Sequence, residues 1–76
     1  MDLKDFIERF VEAVEIEDAS SLSENTLFRE LDEWNSLAAL SLIAMLDEEY
    51  GIQIETPQFS QLKTIGDIFN YINIHK

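Results

Sequence analysis

Residues 34–51 read WNSLAALSLIAMLDEEYG, and the reading of this stretch decides the fold. Asn35 and Ser36 are residue types that cap a helix start, and Gly51 is the type that ends one. Nothing between them breaks a helix, so the spacing predicts one from Ser36 to about Tyr50. Projected at about 100° per residue, Ala39, Leu42, Ile43, Leu46 and Tyr50 form an apolar stripe suited to a core. The opposite sector holds Leu37, Leu40, Ser41, Ala44, Asp47 and Glu48, apolar at its start and acidic at its end. A helix apolar nearly all round in its first half is either central to the fold or covered by something else. In a short chain few helices are fully central. Leu37 and Leu40 therefore have two readings, as innocuous exposed leucines or as a partner surface.

Upstream, Leu3, Phe6, Ile7, Phe10, Val11 and Val14 recur at helical spacing and predict a helix over about Asp2 to Glu15. Asp2 and Asp5 fall in its first turn, where the helix dipole favours negative charge. Residues 17–35 lose the period, yet Leu22, Leu27, Phe28, Leu31 and Trp34 keep recurring. Such a long connection is expected to be held down by its own side chains, with a helical turn around Thr26 to Leu31 and Trp34 as an anchor. Downstream, Ile52 and Ile54 read as extended, and Pro57 steers Thr56 away from helix. Phe59 and Leu62 suggest one short helical turn. A last helix opens at Thr64, with Asp67 placed for a near capping box and Ile65, Ile68, Phe69 and Ile72 facing inward. The expectation is an all-α, small four-helix bundle: three main helices, one short one, and a long loop between helices 1 and 2. One domain should span residues 1–76.

Charge narrows the partners. Sixteen acidic residues against five Lys or Arg give −11, which repels phosphate backbones and anionic lipid and favours basic protein surfaces. No nucleic-acid partner and no membrane span are expected, and the acid-rich start MDLKDFIERF does not read as a targeting signal. A cytoplasmic monomer is the default reading. An acidic mimic blocking a nucleic-acid-binding protein fits the charge but not the apolar sector of the second helix.

The chemistry-bearing patterns largely fail on spacing or ligand type. Two glycines, Gly51 and Gly66, cannot build a phosphate loop, and there is no Cys. His75 is the single His, so neither a zinc site nor a triad with Ser36 is supported. Asp32, Glu33 and Asn35 lack the spacing and mid-loop Gly of a calcium loop. The chain does not read as an enzyme. What remains is Asn35-Ser36-Leu37 at a helix start. Either it is a plain N-cap, or Ser36 carries a phosphate ester against backbone N–H groups and the helix dipole.

The run Leu31-Asp32-Glu33-Trp34-Asn35-Ser36-Leu37, followed by AALSLIAMLDEEYGIQI and closed by KTIGDIFNYI, resembles the acyl carrier protein family over essentially the whole chain. The resemblance implies a covalent 4′-phosphopantetheine on Ser36, whose terminal thiol holds acyl groups as thioesters. It also implies, as partners, a phosphopantetheinyl transferase and acyl-processing enzymes with basic-rimmed docking sites, in a fatty acid, polyketide or other specialised pathway. Two departures stand out. The family usually has Asp before the serine, where this chain has Asn35, and the second helix begins with Ala38, Ala39 and Ser41 rather than acids. Asn35 keeps a rival reading open, an unmodified acidic adaptor that acts only by binding.

Overall fold

The computed structural model describes residues 2–17 and 19–75. Four α-helices appear: α1 (Leu3–Val14), α2 (Ser36–Tyr50), α3 (Thr56–Phe59) and α4 (Ile65–His75). Two short 3₁₀ turns, Ala19–Ser21 and Phe28–Glu30, interrupt the connection between α1 and α2. Among the described residues there is no strand, only an isolated bridge between Leu27 and Thr64. The chain is the all-helical bundle its periodicity predicts.

Helix α1 buries the stripe Phe6, Phe10 and Val14, as its spacing requires, and leaves its acids outside. It ends at Glu15, whose φ of 59° is left-handed, a conformation uncommon for a residue with a side chain. Helix α2 ends on Gly51 at φ 66°, where a residue without Cβ is at ease. The helices run antiparallel. The end of α1 meets the start of α2 around Ala13 and Ala38, and Arg9 pairs with Glu49 near the other end.

The core face of α2 differs from the projected one. Leu42 and Leu46 are fully buried, but they are joined by Ala38 and Met45, while Ala39, Ile43 and Tyr50 are only half-buried. A helix apolar on several sides has no single stripe to fix its rotation, so its neighbours set the face. Here α1 covers the Ala38–Met45 side. Phe69 is likewise half-buried, its ring tilted on Phe6 with centroids 6.1 Å apart.

Thr56 is helical, against the expectation from Pro57. Proline stands in the first turn, where its missing N–H removes no intrahelical bond. The Glu55 N–H donates to Gln58 Oε1 at 3.2 Å and closes that turn. The capping box of α4 is present: Asp67 N–H donates to Thr64 Oγ1 at 3.0 Å, and Thr64 N–H donates to Asp67 Oδ2 at 3.1 Å.

The long connection is fastened to α4. Ile65 N–H donates to Thr26 O at 3.0 Å and Gly66 N–H donates to Glu24 O at 2.8 Å. A Cβ on Gly66 would lie 2.8 Å from that carbonyl oxygen, so only glycine lets the loop approach this closely. Phe28 is fully buried from this loop. The expected anchor, Trp34, sets its ring edge-on to Phe28 at 4.9 Å and stacks on Phe59 at 6.2 Å.

Candidate functional site

Ser36 is the first residue of α2 and is exposed. Its position follows from Asn35, an extended residue at φ −157° and ψ −177° that caps the helix. Asn35 Oδ1 accepts from the Ala38 N–H at 2.8 Å, and Asn35 O accepts from the Ala39 N–H at 3.0 Å. The plain N-cap reading therefore belongs to Asn35, and the Ser36 hydroxyl is left out of the cap. This cap needs only an acceptor oxygen, which an amide supplies as well as a carboxylate.

The first N–H groups of a helix have no intrahelical acceptor. Asn35 satisfies that of Ala38, which leaves those of Ser36 and Leu37 directed out of the helix end. The first turn of α2 contains no acid, so an anion there meets backbone donors and the positive dipole end before any carboxylate of this helix. An exposed hydroxyl in that setting fits a phosphodiester such as the one that would tether 4′-phosphopantetheine.

The surroundings are of two kinds. On one side a cleft of about 270 Å³ opens between Ala13, Val14 and Glu15 of α1 and Glu33, Asn35, Leu37, Ala38 and Ser41. Along α2 the surface is apolar: Leu37 is 72% and Leu40 is 65% exposed, and Ala44 is exposed beyond them. Asp47, Glu48 and Glu49, all exposed, end the helix. Of the sector that the projection set apart from the core, Ser41 is half-buried and the other residues are exposed.

His75 is remote in kind as well as in sequence: it stacks on Tyr71 at 4.0 Å, with Nδ1 3.0 Å from Tyr71 O, at the end of α4. Among the described residues no group of three His, Cys, Asp or Glu side chains is placed to hold a metal ion. No described helix is long and apolar enough to cross a membrane. Sequence reasoning missed the cleft and the contacts of Arg29 described below. The signal for Arg29 was present, since it is one of only five Lys or Arg residues and stands beside the core residue Phe28.

Residues 4–72 match the phosphopantetheine attachment site family. An acyl carrier protein of Lactobacillus acidophilus is 32% identical over 59 residues, covering 78% of this chain and 74% of the relative. One of Chlamydia caviae is 38% identical over 55 residues, covering 72% and 71%. No solved structure gives a significant match.

Proposed function

The chain belongs to the acyl carrier protein family, and on that premise we propose that Ser36 is the residue to which its 4′-phosphopantetheine is attached. The observation that carries this reading is the exposed Ser36 hydroxyl at the start of α2, freed from capping by the Asn35–Ala38 bond. When bound, the arm supplies a thiol that holds acyl groups as thioesters. The protein's own part is to present the oxygen, to hold the ester phosphate against the Ser36 and Leu37 N–H groups, and to offer a docking surface.

That surface is the Leu37, Leu40 and Ala44 face of α2, with acids at its far end. It fits the transferase and acyl-processing enzymes that present a small apolar pocket rimmed by Arg or Lys. An apolar opening turn without acids favours a specialised acyl or polyketide pathway over the central fatty acid pathway. The chain acts in the cytoplasm as a single carrier domain without catalysis of its own. Asn35 favours one second reading, in which loading is lost and the chain is an acidic adaptor.

Intact mass after incubation with coenzyme A and a promiscuous phosphopantetheinyl transferase separates the two. The wild type should gain one arm and Ser36→Ala none. If neither gains it and Asn35→Asp does, Asn35 has disabled loading by that transferase. If that variant also stays bare, the adaptor reading replaces the carrier.

A further inference from the structure

One side chain of the long connection reaches across to α3. Arg29, in the turn Phe28–Glu30, donates from Nη2 to the Phe59 carbonyl at 2.8 Å and from Nη1 to the Leu62 carbonyl. Its guanidinium carbon lies 4.8 Å from the Phe28 ring centroid and 5.2 Å from that of Phe59. Phe59 also meets the Trp34 ring, so two residues of the segment leading into Ser36 hold the same aromatic of α3. Helix α3 is four residues long, a length that cannot be stable alone, so its place is set by what it packs on. A planar fork that donates to two carbonyls while covering two rings is a task for Arg and not for Lys.

We propose that Arg29 is a positioning residue: it latches α3 to the segment that carries Ser36, so that enzymes acting at Ser36 meet α2, the segment and α3 as one rigid surface. The latch stands on the contacts alone, and its consequence for loading rests on the carrier reading of Ser36. Releasing it leaves the Ser36 hydroxyl, its cap and the Leu37–Leu40 face unaltered but lets α3 move independently.

Hydrogen exchange and loading kinetics on the full chain test this. In Arg29→Ala the amides of residues 56–62 should exchange at least about tenfold faster while those of α1 keep their protection. Trp34 emission should shift to the red as Phe59 leaves its ring, and Arg29→Lys should fall between the two. Transferase loading of Arg29→Ala should show a raised KM for the carrier with kcat little changed. Unaltered exchange over 56–62, or exchange raised equally in all helices, would overturn the latch. Raised local exchange with unchanged KM would overturn the positioning role. A wild type that cannot be loaded at all sinks the carrier reading instead, and the exchange result still decides the latch.

Discussion

Helices α1 and α2 are neighbours of similar length, yet their sequences constrain them very differently. In α1 the apolar residues that matter fall on one stripe, the rest is polar, and Phe6, Phe10 and Val14 are buried where the period puts them. In α2 leucines point both ways: Leu42 and Leu46 are fully buried, while Leu37 and Leu40 are mostly exposed. Burial energy alone explains all of α1 and only half of α2. The unexplained half flanks Ser36, the proposed attachment site, and is the face proposed for docking.

The sharpest way to break this contrast is to truncate leucines on the two faces of α2. Leu42→Ala opens a cavity in a fully packed core and should cost about 2–5 kcal/mol in denaturant unfolding. Leu40→Ala should change stability by less than about 0.5 kcal/mol while lowering turnover by partner enzymes. If Leu40→Ala proves as destabilising as Leu42→Ala, the outer face is structural and the docking surface lies elsewhere.

A smaller effect is expected at the start of α2. Asn35→Ala removes the oxygen bonded to the Ala38 N–H and should cost about 1 kcal/mol. Asn35→Asp keeps that acceptor and adds a negative charge at the dipole's positive end, worth about 0.3–1 kcal/mol in the opposite direction. Thermal melts of the two variants should thus move apart on either side of the wild type.

The smallest effect lies at the cap of α4. The Lys63 and Thr64 N–H groups donate to Asp67 and hold its carboxyl below the usual range. A depressed folded value means that the ionised group stabilises the fold at pH above its unfolded value. That contribution is lost as pH falls through the folded value. Asp67→Asn should therefore flatten the decline in stability below about pH 4, read from melts across pH. An unchanged acid limb would show that Asp67 contributes no pH-dependent stability.

Legibility followed how many neighbours each feature needs. The caps at Gly51 and Thr64–Asp67 were readable because each closes within a few residues, while the start of α2 was narrowed to Asn35 or Ser36 and the Asn35–Ala38 bond chose between them. Ser36 was singled out by the motif's resemblance and by its helix start; the structure adds that it is exposed. The rotation of α2 was readable only in part: Leu42 and Leu46 face inward as projected, but a helix with apolar residues on several sides takes its exact orientation from α1, which brings in Ala38 and Met45. Pro57 misled at Thr56, because the rule for residues before proline ignores that a first helical turn tolerates both.

The sequence by itself determined that this chain is all-helical, about where its two long helices begin and end, and which serine stands at the start of α2. Hydrophobic period and capping are local, and local terms of this size suffice to place them. Only the tertiary structure decided that Ala38 and Met45 join Leu42 and Leu46 inside, and that Arg29 reaches the carbonyls of Phe59 and Leu62. Those outcomes join residues up to 33 positions apart in the chain. Separations of that kind leave no period in a sequence.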